Sequence, residues 1–309
     1  MTYRFDAELA PWVSMMPQLD LTDLTAARQE LAELLAAAPP APPIGDLTVQ
    51  DRTIPGPDGA PDVAVRVYTP RGATGVLPGL LYIHGGGFVV GSVEQEDGTA
   101  RAIADGANAV VVSVEYRLAP EHPHPAPLED CYAALTWLAK NTAELGVEPT
   151  RLAVGGTSAG GGLAAATALL ARDRGGPELC LQYLGIPELD DRLTTPSMTA
   201  YSDTPIWHRP NAELSWQAYL GGADADGYAA PARMADLSGL PPAYVNVCQF
   251  DPLRDEGIEY AQRLAQTGIP TELHLYPGTF HGSSLIADAA VSARMGADTV
   301  AGIRALLHG

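Results

Sequence analysis

The sequence has little positive charge, and almost all of it is arginine. Of 309 residues, 37 are acidic and 18 basic, which gives a formal net charge of −19. Lys140 is the only lysine. A chain of this charge repels nucleic acid, so we expect no nucleic-acid partner. A P-loop is also excluded, because its Gly-Lys-Ser/Thr motif requires a lysine that Lys140 does not supply.

Cysteine is scarce as well, and long apolar runs are missing. Cys131, Cys180 and Cys248 are an odd number, and each lies in an apolar segment. This predicts buried free thiols, which fit a reducing cytoplasm. No apolar stretch approaches the roughly 20 residues of a membrane span, and the acidic first 30 residues do not resemble a signal peptide. We therefore expect a cytoplasmic protein without a membrane span.

From residue 47 onward, apolar runs typical of strands alternate with helical segments. Two strands joined by a turn come first, in "LTVQDRTI" and "VAVRVYTP". Six further runs follow, "LPGLLYIH", "NAVVVSVEY", "RLAVGG", "LCLQYLGI", "AYVNVCQF" and "TELHLY", with helical segments near 95–107, 127–144, 159–173, 255–268 and 284–307. Continuous apolar strands between helices predict a mostly parallel sheet covered on both faces. We expect an α/β fold with an eight-stranded, doubly wound sheet whose first two strands form an antiparallel edge.

Two segments fall outside this alternation and predict a helical cap. Residues 1–45 contain an amphipathic helix near 22–37 and then a proline-rich stretch, expected to be a stiff linker. Residues 188–235 are too many for a loop without structure of its own, and a helix is expected near 210–220. The remaining residues, 46–187 and 236–309, then form the two parts of the core.

The stretch "GTSAG", residues 156–160, lies between a predicted strand and a predicted helix. At such an elbow the central residue is strained and its neighbours must be small, which makes Ser158 a candidate nucleophile. Two alternatives use the same glycines. Gly160, Gly162 and Ala165 fit a G-x-G-x-x-A dinucleotide fingerprint, although on the fifth strand rather than the first. A glycine-rich helix start can also serve packing alone.

A second glycine stretch, "HGGGF" at 84–88, directly follows a predicted strand. Successive glycines leave backbone N–H groups free to point at one place, as an oxyanion hole requires, although a glycine turn without a ligand is the alternative. A serine nucleophile also needs a base. Among the histidines after Ser158, His281 is favoured because it lies in a loop directly after a strand. The acid is expected at the end of the previous strand, which favours Asp251 over Asp255.

Five motifs occur in order over nearly the whole chain: "HGGGF", "YRLAPEHPHPAP", "GTSAGG", "DPLRDEG" and "FHG". With them the sequence resembles the bacterial hormone-sensitive lipase family of α/β-hydrolases, in its GTSAG branch. The resemblance implies the α/β-hydrolase fold with a helical cap, and a serine carboxylesterase with Ser158, Asp251 and His281 as its triad. It implies in addition that many members are homodimers, often through the edge of the sheet.

The resemblance also implies that the N–H groups of Gly85, Gly86 and Ala159 form the oxyanion hole. Acyl transfer by such a triad needs no cofactor and no metal ion. A lidded, partly apolar pocket favours short- to medium-chain carboxylic esters. The candidate lining residues are Trp12, Met15, Met16, Phe88 and Trp207. An amidase, lactonase or acyltransferase with the same triad, and a non-catalytic small-ligand receptor on the same fold, are the alternatives.

Overall fold

The computed structural model describes residues 3–37 and 44–309, and the predicted proline-rich linker lies outside the described residues. The strands are β1 (Leu47–Ile54), β2 (Val63–Pro70), β3 (Leu77–Ile83), β4 (Val110–Glu115), β5 (Val147–Thr157), β6 (Leu181–Gly185), β7 (Ala243–Phe250) and β8 (Thr271–Phe280). They form one sheet in the order β1-β2-β4-β3-β5-β6-β7-β8. β2 is antiparallel to β1 and β4, and the other pairs are parallel. The predicted eight-stranded, mostly parallel sheet is confirmed.

The helices match the predicted segments, with local differences. They are α1 (Leu24–Ala37), α2 (Asp97–Gly106), α3 (Ala126–Lys140), α4 (Thr142–Leu145), α5 (Ala159–Asp173), α6 (Pro196–Ala200), α7 (Arg209–Leu220), α8 (Arg254–Gln266) and α9 (Ala290–His308), with 3-10 helices at Ala10–Met15, Pro231–Arg233 and Ser283–Leu285. α5 has the predicted bounds. The segment predicted as 127–144 is split at Asn141 into α3 and α4, and the last helix starts six residues after the predicted position, because a separate 3-10 turn precedes it.

The sheet is covered by helices on both faces, which explains its uninterrupted apolar strands. All seven residues of β3 are buried, and the valines of β4 pack on both sides. One core cluster contains side chains of α3, α5 and α8, and a second, on the opposite face, contains side chains of α2 and α9. Among the helices of the two described ranges, none combines the length and the apolar character that a membrane crossing requires.

The two segments predicted as a cap touch each other. We refer to residues 3–37 as the N-terminal segment and to residues 188–235 as the insertion. The side-chain amide of Asn211 in α7 donates to the carbonyl oxygen of Leu19, at 3.2 Å. Leu24 and Leu31 of α1 pack in the same apolar cluster as Ala212 of α7. This cluster adjoins the carboxyl ends of the parallel strands, where the loops with the candidate site residues lie.

Candidate active site

Ser158 is placed at the turn between β5 and α5, where the backbone adopts an unusual conformation. Its φ of 58° and ψ of −124° lie in a region that residues other than glycine adopt only under strain. Gly156 and Gly160 pack so closely on the carbonyl oxygen of Ile83 that a Cβ on either would collide with it. The small neighbours are therefore required by the turn, and the turn presents the serine hydroxyl at the end of the sheet.

The same contacts argue against the dinucleotide interpretation of these glycines. A Cβ on Gly160 would meet the carbonyl oxygens of Ile83 and His84, and one on Gly162 would meet that of Glu188. Protein backbone thus occupies the space beside α5 that a pyrophosphate would need. The glycines allow strand β3 and the chain after β6 to approach the helix.

The side chains of Ser158, His281 and Asp251 form one hydrogen-bonded chain. His281 Nε2 lies 3.0 Å from Ser158 Oγ, and His281 Nδ1 lies 2.8 Å from Asp251 Oδ2. Asp251 Oδ1 accepts from the backbone N–H of Leu253, at 2.9 Å. All three side chains are buried. Because the carboxylate can only accept, Nδ1 carries a proton toward Asp251 and Nε2 is left to accept the serine proton.

The alternative acid, Asp255, lies elsewhere. It belongs to the first turn of α8, where its carboxylate accepts from the backbone N–H of Ser197 at 2.7 Å and from Arg254 Nε at 2.7 Å. It thereby joins α6 to α8 and does not contact His281. The structure brings the three predicted residues together and leaves the alternative outside.

The glycine stretch 85–87 and the residue after the serine have free backbone N–H groups. Within the described residues, the N–H groups of Gly85, Gly86 and Ala159 donate to no acceptor. A Cβ on Gly85 would lie 3.3 Å from Ser158 Cβ, so this glycine is directly beside the serine. The N–H group of Gly87, which the sequence analysis did not select, is free in the same way. The only available signal for it was the third glycine of the motif.

His84 keeps this glycine stretch in place. Its ring is fully buried and stacks on Tyr116 at 4.2 Å between ring centroids, and its Nδ1 lies 2.8 Å from the carbonyl oxygen of Gly85. Burial lowers the pKa of His84 to about 4. The ring is therefore neutral near pH 7 and serves the loop rather than proton transfer.

The predicted lining residues lie in different surroundings. Trp207 is 6.0 Å from the His281 ring between centroids, and its six-membered ring packs on Gly87. Phe88 is buried and stacks on Tyr219 at 4.0 Å. Trp12 and Met15 are exposed by 42% and 61%, and Met16 packs in a separate cluster around Phe280. The assignment of these residues to a substrate pocket stays a prediction.

Two polar residues near the glycine stretch were missed by the sequence analysis. Ser215 of α7 donates from Oγ to the carbonyl oxygen of Gly87, at 2.7 Å, and lies 3.4 Å from Oε1 of Glu188. Glu188 is completely buried, and burial raises its pKa to about 8. A glutamate three residues after a buried strand was the only signal. Over residues 3–37 and 44–309, no cluster of His, Cys, Asp and Glu side chains is arranged to hold a metal ion.

Comparisons with known proteins agree with this architecture. Residues 80–285 match the model of the α/β hydrolase fold family. The carboxylesterase NlhH of Mycobacterium tuberculosis is 47% identical over 244 residues, which are 77% of this chain and 76% of that protein. Esterase LipI of the same species is 40% identical over 295 residues, 93% of this chain and 89% of that protein.

A solved structure of a bacterial heroin esterase superposes with a TM-score of 0.96 at 49% identity and covers 99% of each chain. The family model spans more than half of the sequence, and these relatives cover most of it. The resemblance to the bacterial hormone-sensitive lipase family is confirmed, and the chain belongs to the α/β hydrolase fold family.

Proposed function

We propose that the protein is a serine carboxylesterase. The observation that carries this proposal is the continuous chain from Ser158 through His281 to Asp251, next to unpaired backbone N–H groups. A nucleophile, a base, an orienting acid and oxyanion donors are the parts that acyl transfer requires. The similarity to proteins named carboxylesterase and esterase supports the same reaction.

In this proposal His281 takes the proton of Ser158 while the serine oxygen attacks the ester carbonyl. Asp251 holds the imidazole in the required tautomer and stabilises its positive form. The N–H groups of Gly85, Gly86 and Ala159 receive the oxyanion, and we add Gly87, whose N–H is also free, as a fourth candidate. The alcohol leaves with the proton from His281. Water, activated by the same base, then cleaves the acyl-enzyme and restores the serine.

Short- to medium-chain esters are the substrates that the surroundings favour. Ser158 is only 7% exposed and His281 5%. Trp207 packs on the glycine stretch from the side of the insertion. We propose that the N-terminal segment and the insertion together form the cap and that Trp207 lines the acyl pocket. A site enclosed in this way admits small esters more readily than a long-chain emulsion.

The direct test is hydrolysis of p-nitrophenyl esters from acetate to palmitate. We expect the wild type to prefer the shorter esters, and S158A to lose at least about a thousandfold in kcat. S238A is the matched control, because Ser238 is exposed near the opposite end of β7. Turnover by S158A equal to the wild type would refute the nucleophile, and a maximum at palmitate would refute the enclosed pocket.

The acid is tested by two matched substitutions. D251N is expected to lower kcat by about 10⁴-fold, as loss of the orienting carboxylate does in serine proteases. D255N removes the same charge four residues later, outside the hydrogen-bonded chain, and is expected to keep kcat within about tenfold. Equal losses in the two variants would contradict the assignment of Asp251.

The same series addresses the alternatives. A non-catalytic receptor would bind ligands without turnover, although the presence of His281 favours an enzyme. Amides and lactones assayed beside the esters rank the substrates that one triad can serve, and an added alcohol acceptor reveals acyl transfer.

The free edge of the sheet supports a homodimer. β8 is the last strand in the sheet, and its Leu273 and Leu275 are exposed by 40% and 49%. An exposed apolar edge strand is a surface that pairs with another strand. We expect light scattering to give a dimer for the wild type and a monomer for L275D. V76D, at a similarly exposed valine outside this edge, is the control; a monomeric wild type would refute the dimer.

A cytoplasmic location is proposed from the cysteines. Cys131, Cys180 and Cys248 are all free thiols, and two of them are buried. Unpaired thiols persist in a reducing compartment. Recovery of the native protein in the cytoplasmic fraction of its source cells would support the proposal, and recovery outside the cells would refute it.

A further inference from the structure

Glu188 is attached directly to the nucleophile turn. Its backbone N–H donates to the carbonyl oxygen of Ser158, at 3.0 Å, and its own carbonyl oxygen packs against Gly162 in the first turn of α5. The side chain is completely buried. It extends to Ser215, so the first residue of the insertion links the serine turn to α7.

The hydrogen bonds of the Ser215 hydroxyl indicate whether Glu188 is neutral or ionised. Ser215 Oγ lies 2.7 Å from the carbonyl oxygen of Gly87 and 3.4 Å from Glu188 Oε1. The hydroxyl has one proton, and a backbone carbonyl can only accept. Because the shorter bond uses that proton, the contact with Glu188 is satisfied when the carboxyl group is the donor, that is, when it is neutral.

The charged surroundings of Glu188 favour the same state. Burial, the largest effect, and the charge of Asp251 raise its pKa, a hydrogen bond donated by Ser215 lowers it, and none of the groups that shift it is a cation. The other titratable groups facing it are Glu256 and Tyr219, and burial raises the pKa of both. Oε2 of Glu188 has no hydrogen-bond partner within the described residues. An ionised carboxylate here would be a buried charge without compensation.

We infer that Glu188 is a positioning residue for the glycine stretch 84–88: as a neutral carboxylic acid it donates to Ser215, which donates to the carbonyl oxygen of Gly87. This inference rests on the proposed function, because the positioned groups are the oxyanion donors. When Glu188 ionises, the Ser215 proton is drawn to the carboxylate and Gly87 is released. The N–H groups then lose their orientation. Transition-state stabilisation falls, while binding of the neutral ester is little affected.

The experiment compares kcat and KM from pH 6 to 10 for the wild type and four variants. E188L and S215A are expected to lower kcat about tenfold at pH 7 with KM within about twofold, because a loosely placed donor acts mainly on the transition state. The wild-type kcat is expected to fall above about pH 8, where Glu188 ionises. E188Q retains a donor that cannot ionise, so it should restore most of kcat and remove this alkaline fall. E213Q, at an exposed glutamate of α7, the helix that carries Ser215, is the matched control.

Unchanged kcat and an unchanged pH profile in both E188L and S215A would overturn the inference. If E188L does not fold, S215A decides, because it leaves Glu188 in place. Infrared spectroscopy at pH 6 gives a readout independent of turnover. We expect a neutral carboxylic acid band in the difference spectrum between the wild type and E188Q and none in that between the wild type and E213Q, since the absorption of Glu256, whose pKa is also raised, cancels in both. Absence of that band overturns the inference even for an inactive protein, whereas failure of the wild type to hydrolyse any ester refutes the proposed function.

Discussion

Helix α7 buries five of its residues, whereas α1, which is slightly longer, buries only Ala27. In α7, Trp216 and Tyr219 pack around Phe88 and join the main core. Both helices lie near the same end of the sheet, but α7 is part of the apolar core and α1 covers it from outside. Detachment of α7 would expose several buried core side chains, whereas detachment of α1 would expose few.

Arg28 makes the polar contacts that join α1 to the loops beneath it. Arg28 donates from Nε to the carbonyl oxygen of Val89 at 2.9 Å and from Nη2 to that of Ala119 at 2.9 Å. Its two terminal nitrogens donate to the Glu121 carboxylate at 2.7 and 2.8 Å. A few directional bonds contribute less free energy than a buried tryptophan and break together when one side chain moves. We therefore expect α1 to detach from the enclosed site while α7 stays in place.

The largest expected difference between the two helices is tested by W216A. Removing a buried tryptophan in α7 should lower the free energy of unfolding by about 3–5 kcal/mol, measured by denaturant unfolding. W12A, at a tryptophan that is 42% exposed, should cost less than about 1 kcal/mol. Equal losses in the two variants would mean that α7 is not held by core packing.

R28M removes the polar contacts of α1 and keeps the aliphatic part of the side chain. We expect a loss of about 2 kcal/mol, because bonds to a charged group are stronger than neutral ones. In hydrogen exchange the amides of α1 should lose protection while those of α7 keep theirs. R209M removes an arginine of α7 as the control. Loss of protection in both helices would show that they detach as one unit.

E121Q separates the ion pair from the two backbone contacts of Arg28. Glu121 is 55% exposed, so solvent screens the pair and the expected loss is only about 0.2–1 kcal/mol. Arg28 lowers the pKa of Glu121 to about 2. The contribution is therefore present above the ordinary pKa, 4.5, and lost as the pH falls toward 2. High salt should reduce the difference between the variant and the wild type; a salt-independent difference would contradict this explanation.

The smallest effect is expected at the exposed leucines of α1. Leu34 and Leu35 are 48% and 39% exposed, so L34S and L35S should change the free energy of unfolding by less than about 0.5 kcal/mol. L31S, at a half-buried position of the same helix, should cost more. A large loss at Leu34 would indicate that this end of α1 is covered by another surface in solution.

The sequence predicted the features that depend on local pattern. The bounds of α5, the elbow at Ser158 and the loop positions of Asp251 and His281 follow from hydrophobic periodicity, small residues and the ends of strands. The run "TELHLY" was grouped with the continuous apolar strands, yet its two leucines are exposed. Composition cannot tell an edge strand from a central one, because that depends on the order of strands in the sheet.

Contacts between distant segments were also beyond the sequence. Arg28 and Glu121 are 93 positions apart, and Glu188 meets Ser215 only because α7 crosses the glycine stretch. Neither pair has a spacing that predicts contact. In the sequence, a buried glutamate cannot be told from the many solvated glutamates of this acidic chain. Its neutral state can be inferred only from the residues that surround it in the fold.

The backbone of Ser158 has a consequence for directed evolution. At φ 58° a glycine would relieve strain that serine must bear. A library selected for heat resistance alone would thus be enriched in glycine at this position and would discard the proposed nucleophile. Any stabilisation programme on this scaffold has to screen for turnover in every round, since one gain in stability lies at the residue proposed as the nucleophile.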